Sequence, residues 1–386
     1  MILIALKMLS GDRAKYLGIV MGLTFAALII TQQSAIFVGL MIRTYSLVSD
    51  TPQADIWVMD PYVRYIDDVK PIPMNDLYKV RSVSGVDWAV PYYKGMIKAY
   101  LPDGNIQQCI LIGVDDASLI GGPYQMKEGK LMNLKMPDGI IIDNFGREFK
   151  LAYRKDPKID KLTQLGMGSV FELNDKRAKV VGICDITRTF QNQPIIYTTF
   201  SRALQYAPPE RKQLNYVLVK AKDPEQAEAL CEKITKQTGL AAYTKKQFSN
   251  LTMDYYLKHT GIPVNFGIVV VLGFVIGVAV AGQTFYNFTL DHLKFLGTFK
   301  AMGASNKLLF KLTVIQSLVV GSIGWGLGIG LASLLGIFLN NTMLSFRLPW
   351  ELMLFSLCSI LFICFLSALI SIYKIFKLEP AIVFKS

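Results

Sequence analysis

Four long runs without a charged side chain limit what this chain can fold into. Residues 17–42, 262–290, 312–339 and 352–373 contain no Asp, Glu, Lys or Arg. A bilayer core about 30 Å thick needs ~20 apolar residues in a helix. The first run has 26 residues and would extend about 39 Å at 1.5 Å per residue. A soluble protein has few uses for such lengths, and only 18% of the 386 residues are charged, against roughly a quarter in soluble domains. The first run is about twice the apolar length of a cleavable leader, and no small-residue cleavage pattern follows it closely, so it is expected to persist as a signal anchor.

The net charge of +12 invites a nucleic-acid reading, but its placement argues against one. Residues 1–16, 291–311 and 374–386 together hold ten Lys and Arg against three Asp and Glu, whereas residues 43–261 hold thirty against twenty-five. Basic excess in short segments beside spans marks the cytoplasmic side. Both termini and the segment between the second and third spans are therefore expected inside, with residues 43–261 and the short loop 340–350 outside. The fold class expected is a polytopic α-helical membrane protein. Its four transmembrane helices are in a 1+3 layout, and a large α+β extracytoplasmic domain lies between the first and second.

The expected segments are a cytoplasmic amphipathic helix over 1–16, spans over 17–42, 262–286, 312–339 and 351–373, a cytoplasmic loop over 287–311 and a cytoplasmic tail over 374–386. The external domain alternates strand and helix signals. Strands are expected over 54–59, 86–90, 97–100, 106–113, 138–142, 168–173, 178–183 and 215–220. Helices are expected over 74–83, 224–238 and 247–258, the second opening on Asp223 and Pro224. Turn density at Gly121-Gly122-Pro123 and Pro208-Pro209 divides the domain into a membrane-joined lobe and a more β-rich insertion over 116–214.

Residues able to do chemistry are sparse. His259 and His292 are the only two histidines, at opposite ends of the second span, so neither a histidine triad nor a multi-histidine metal site is expected. Cys109, Cys184 and Cys231 show no disulfide-framework or zinc spacing, and Cys358 and Cys364 fall in the last span. The adjacent carboxylates Asp67-Asp68 and Asp115-Asp116 read as solvated turns. No phosphate-binding loop is present: Gly303-Ala304-Ser305-Asn306-Lys307 lacks both its glycine pattern and the hydroxyl residue after the lysine. The chain is expected to be no enzyme, with no catalytic, metal or cofactor-binding residue of its own.

The spans carry small residues four apart: Gly273, Gly277 and Ala281 in the second, and Gly324, Gly328 and Ala332 beside Ser322, Gly326 and Gly330 in the third. Such stripes let helix backbones approach closely in lipid, either within the chain or between two copies. Gln32, Gln33, Ser34 and Gln283 are polar within lipid and expected to face protein. The most specific stretch is the loop over 287–311. There Leu293, Leu296, Phe299 and Met302 alternate with Lys294 and Lys300, and Gly303-Ala304-Ser305 then breaks the helix. A short helix across the mouth between two spans is a handle for a cytoplasmic partner.

At this loop the sequence resembles the FtsX-like/MacB-like permeases of ABC transporters, the mechanotransmission type. Leu296-Gly297-Thr298-Phe299-Lys300-Ala301-Met302-Gly303-Ala304-Ser305 stands where that family carries a similar motif. The 1+3 layout, the amphipathic start and Leu378-Glu379-Pro380-Ala381 near the end fit the same family. Ala54-Asp55-Ile56-Trp57-Val58, Pro102-Asp103-Gly104, Ile112-Gly113-Val114-Asp115-Asp116 and Ile141-Ile142-Asp143 resemble the DevC-type branch. The resemblance implies a homodimer in the bacterial inner membrane, its large domain periplasmic, bound to a cytoplasmic ABC ATPase. That ATPase would hold the ATP and magnesium and would seat the coupling helix over 293–305. It further implies export of a lipid-like or hydrophobic envelope molecule, with a periplasmic adaptor and an outer-membrane duct as further partners. The alternatives are an FtsX-like regulator of cell-wall hydrolases and a lipoprotein-releasing permease.

Overall fold

The computed structural model describes residues 13–154, 162–209, 212–340 and 344–376. Of the expected amphipathic helix, residues 1–12 lie outside these. So do residues 377–386 of the tail, including Leu378-Glu379-Pro380-Ala381.

The described residues open with α1 (Arg13–Thr44) and the short α2 (Ser46–Ser49). Then follow β1 (Ile56–Met59), α3 (Met74–Ser82), β2 (Val86–Tyr100), β3 (Ile106–Val114), β4 (Met126–Gly129), β5 (Gly139–Asp143) and α4 (Asn144–Glu148). After these come β6 (Tyr153–Arg154), β7 (Leu162–Thr163), β8 (Val170–Leu173), β9 (Lys176–Cys184), β10 (Ile195–Thr199), α5 (Phe200–Tyr206) and β11 (Tyr216–Ala221). The remainder is α6 (Ala227–Thr238), β12 (Ala241–Thr244), α7 (Lys245–His259), α8 (Ile262–Asp291), α9 (Leu293–Ala301), α10 (Asn306–Asn340) and α11 (Trp350–Phe376). Two compact units result: Met41–Thr260, and Met1–Leu40 with Gly261–Ser386.

Among the described residues, four helical stretches are long and apolar enough to cross a membrane: Ala14–Thr44, Ile262–Asp291, Asn306–Leu339 and Trp350–Ser371. Helix α10 starts six residues before its charge-free run, because Lys307 and Lys311 suit a helix leaving the apolar core as well as the aqueous mouth.

The Met41–Thr260 unit is built on a 10-stranded sheet in the order β12-β1-β11-β2-β3-β10-β5-β9-β4, with β8 bridging β2 and β9. Both faces are covered. Leu77 and Val80 of α3, Phe200 and Ala203 of α5 and Leu230 and Ile234 of α6 pack on one face. Leu47 and Val48 of α2 and Phe248 of α7 pack on the other. Double coverage explains why central strands such as Ile140-Ile141-Ile142 are fully buried and apolar without alternation.

Two expectations are corrected. The strands expected over 86–90 and 97–100 are one strand, β2, running through Pro91. Lys94 directs its N–H toward the β11 edge, so by alternation the position of Pro91 faces the opposite edge. Pairing with β3 on that edge begins only at Tyr93, so the missing N–H costs no ladder bond. The division into a lobe and an insertion at 116 and 214 is also not where the sheet divides. Strand β10, from inside that segment, pairs in parallel with β3 over Ile195–Thr199 and so joins β5 and β9 to the same sheet. Turn-rich stretches mark reversals of the chain, and they say nothing about which strands the reversed segments pair with.

The β8–β9 hairpin turns at Asn174 and Asp175, both with positive φ (49° and 63°), a turn that asparagine and aspartate tolerate. Helix α7 opens with a capping box in which Thr244 and Gln247 satisfy each other's main-chain N–H.

Candidate functional site

Helix α9 follows α8 with His292 as the only intervening residue. Its two and a half turns close in a Schellman arrangement: Ala304 N–H donates to the Phe299 carbonyl at 2.9 Å and Gly303 N–H to the Lys300 carbonyl at 3.1 Å. That closure needs a left-handed residue, and Gly303, at φ 95°, supplies it. The next helix, α10, starts at once, with the Ser305 hydroxyl accepting from Leu308 N–H at 3.3 Å. Gly303-Ala304-Ser305 is therefore a hairpin bend, closing one helix and capping the next. At the other end the His292 ring lies tilted against Phe288 with centroids 4.2 Å apart, and Lys15 is ion-paired with Asp291.

An apolar cluster packs α9 against the start of α10. Leu296 is 4% exposed and packs on Leu309, with Phe299, Ala304 and Phe310 around the pair. This corrects the docking face expected from the sequence. Residues three apart on a helix drift by about 60° per step, so Leu293, Leu296, Phe299 and Met302 sweep about half-way around the axis and cannot share one face. Leu296 and Phe299 turn inward and anchor α9. The exposed apolar residues are Phe295, at 62%, and Met302, at 70%. Leu293 and Lys300 are half-buried and Ala301 is exposed. Phe295 was missed because it lies off the i, i+3 series, although 100° per residue places it beside Met302 rather than Leu296.

The small-residue stripes meet the chain's own first helix. A methyl added at Gly328 would lie 2.5 Å from Ala27 Cβ and 2.9 Å from the Thr24 carbonyl oxygen. Gly324 faces Leu23 in the same way, Gly273 faces Ile29 and Ile30, and Gly277 lies between Ala26 and Ile363. Ala281 and Ala332 are fully buried. These six positions therefore pack within the chain. A methyl added at Gly326 or Gly330 would meet nothing within 4 Å outside its own helix, and with exposed Ser322 they form an outward stripe. In the last two spans the Trp325 indole N–H donates to the Ser356 hydroxyl at 3.0 Å. Gln32, Gln33 and Ser34 are half-buried, whereas Gln283 is exposed and donates to Asn287 at 3.5 Å.

Comparison with known proteins fits this arrangement. The MacB-like periplasmic core domain matches residues 17–237, and the FtsX-like permease C-terminal domain matches residues 264–380. The chain belongs to the FtsX-like, MacB-like ABC transporter permeases. Among solved structures it is similar to the periplasmic region of MacB from Actinobacillus actinomycetemcomitans. Identity there is 11% and the TM-score 0.38, with 55% of this chain and 96% of that one covered. The extracellular domain of the noncanonic ABC-type transporter YknZ from Gram-positive bacteria is similar at 12% identity and a TM-score of 0.34, covering 50% and 98%. A domain of a putative permease protein from Porphyromonas gingivalis follows at 13% and 0.31, covering 51% and 90%.

Membership makes this FtsX-like permease a multi-pass membrane protein with an extracytoplasmic domain between its first and second spans. Permeases of this family work with an ABC ATPase and are typically not themselves the catalytic subunit.

Proposed function

We propose that this FtsX-like permease is the membrane subunit of an exporter in the bacterial inner membrane, acting as a homodimer. A separate ATPase, carrying the ATP and magnesium, docks on α9, and its cycle moves the periplasmic domain. The cargo is a lipid-like or hydrophobic envelope molecule, passed on with a periplasmic adaptor and an outer-membrane duct, as in the DevC-type branch. The observation that carries the coupling role is the two-sided build of α9. Leu296 packs on Leu309 while Phe295 and the C-cap residue Met302 stand exposed. An aromatic and a thioether side chain held out in this way suit a partner's pocket, where a few buried anchors carry most of the binding energy.

The test is co-purification with the partner ATPase and stimulation of its turnover in nanodiscs. Phe295→Ala with Met302→Ala is expected to weaken the complex roughly a hundredfold or more, at about 2 kcal/mol for truncating one anchor. If α9 merely rests in the inner-leaflet interface, the double variant keeps both binding and stimulation, and the docking role is lost.

A further inference from the structure

The chain enters the Met41–Thr260 unit once and leaves it once, and the two crossings are built differently. Helix α1 runs unbroken from Arg13 to Thr44, 32 residues or about 48 Å of helix. The other crossing is interrupted. Helix α7 stops at His259, and Thr260 is extended at φ −124° and ψ 155°. Helix α8 then starts afresh at Ile262 with Pro263 as its second residue, which has no N–H to bond back to the His259 carbonyl. A methyl added at Gly261, between the two helices, would meet nothing within 4 Å beyond its chain neighbours.

Both ends of α1 are held. At the first, Lys15 is ion-paired with Asp291, the last residue of α8 and two before α9. An exposed pair adds little stability, and packing does the holding: Leu23, Ala26 and Ala27 are fully buried in one cluster with Phe285, Val320 and Ile363. At the far end the Arg43 guanidinium donates to the Asn192 side-chain oxygen at 3.1 Å. Just beyond, the Asp50 carboxylate accepts from Thr187 N–H at 2.7 Å and from its hydroxyl at 3.1 Å. Thr187 and Asn192 both lie in the loop between β9 and β10. Phe190 of the same loop packs on Tyr256 of α7, with ring centroids 4.7 Å apart.

We propose that α1, and not α8, carries the movement of the coupling segment to the extracytoplasmic sheet, and that the β9–β10 loop is where the sheet receives it. A helix held along its length by packed side chains moves as one piece, whereas an interrupted one absorbs displacement at the joint. Helix α8 continues almost directly into α9, yet its displacement is spent at Thr260 and Gly261. Helix α1 delivers its own at Arg43 and Asp50. From there the path is main chain: the loop runs into β10, which pairs with both β3 and β5 near the middle of the sheet. The inference rests on the coupling role of α9 and adds the residues that transmit it.

The test uses the full chain with its partner ATPase in nanodiscs, in a Cys358→Ser background. Nitroxides are placed by Tyr62→Cys and Phe338→Cys, both at exposed positions, and the labelled chain is diluted with unlabelled chain. Their distance is read by pulsed dipolar spectroscopy without nucleotide and with ATP and vanadate, and the unmodified protein is expected to show a shift. Ile42→Pro, which breaks α1 in its last turn, is expected to abolish it. If that variant does not fold, Arg43→Gln with Asp50→Asn keeps side-chain size and is expected to reduce it. A Gly-Gly insertion after Gly261 is expected to leave the shift intact. Loss of the shift on that insertion, or its persistence in folded α1 variants, overturns the proposal. Absence of any shift in the unmodified protein with the ATPase bound overturns the domain movement itself, and this proposal with it. Co-purification of the ATPase is expected to be unchanged throughout, so failure of the α1 path and failure of docking on α9 are read separately.

Discussion

At Trp57, in the Met41–Thr260 unit, three aromatic rings converge: Tyr92 at 5.3 Å, Tyr216 at 5.6 Å and Phe248 at 5.7 Å between centroids. At Gly328, in the membrane unit, a methyl would meet only a small side chain and main chain, Ala27 Cβ at 2.5 Å and the Thr24 carbonyl oxygen at 2.9 Å. The first unit folds in water, where removing large apolar surface is the main source of stability. The second folds in lipid, where a leucine gains nothing by leaving the tails, and helices associate by close backbone approach. Side chains of opposite size therefore hold the two halves of one chain together, so loss of bulk is the sensitive change in the first and gain of bulk in the second.

The largest expected effect is at the aromatic cluster. Trp57 is fully buried, so Trp57→Ala is expected to cost about 3–5 kcal/mol, read as a lowered unfolding transition of the extracytoplasmic domain in the full chain. A cost under about 1 kcal/mol would break the comparison. The indole N–H has no hydrogen-bond partner among the described residues, so Trp57→Phe should cost much less.

Next comes the handling of buried polar groups. The Asp143 carboxylate accepts N–H bonds from Gly146 and Ile195, both at 2.6 Å, yet burial still pushes its pKa up from 3.8 to about 6. Between about pH 4 and pH 6 the native state keeps a proton that the unfolded chain has released. The contribution of Asp143 to stability therefore falls as pH rises through that window, by on the order of 2–3 kcal/mol in all. Membrane-unit hydroxyls such as Ser367, which donates to the Ile363 carbonyl of its own helix at 2.8 Å, carry no such window. Carboxyl-labelled NMR titration of the full chain should show a midpoint near 6 for Asp143, and a midpoint below about 4.5 removes the effect.

The smallest effect sharpens the lipid side. Gly328→Leu forces apart α10 and α1 and is expected to cost about 1–3 kcal/mol. Gly326→Leu, two residues away on the outward stripe, should stay within about 0.5 kcal/mol. Thermal inactivation of the two variants in nanodiscs compares them directly, and equal costs would mean that α1 does not seat on that stripe.

The spans were legible because a charge-free run of 26 residues has few folded alternatives. Local punctuation was also readable: Asn174-Asp175 turns a hairpin, Asp223 accepts from Glu225 N–H at 3.1 Å, and Gly303 ends α9. Long-range pairing was not. Strand β10, five buried residues joining β3 to β5, carries no local sign of its partners, and the turns around it read as a domain boundary. At the candidate site the segment was legible but its orientation was not. Apolar residues at i, i+3 read as one stripe, while the helix rotated Leu296 inward and Phe295 outward.

The sequence by itself determined the four apolar spans, the α+β character of the domain between the first two and the helix break at Gly303 between the second and third. Each follows from composition or spacing over a few turns of chain, where a residue's neighbours are its neighbours in sequence. Tertiary structure alone decided which strands share the sheet, that Gly273, Gly277, Gly324 and Gly328 are used against α1, and that β2 passes from β11 to β3 between Tyr92 and Tyr93. These depend on contacts between residues tens to hundreds of positions apart, and their energies appear only once the chain has closed on itself.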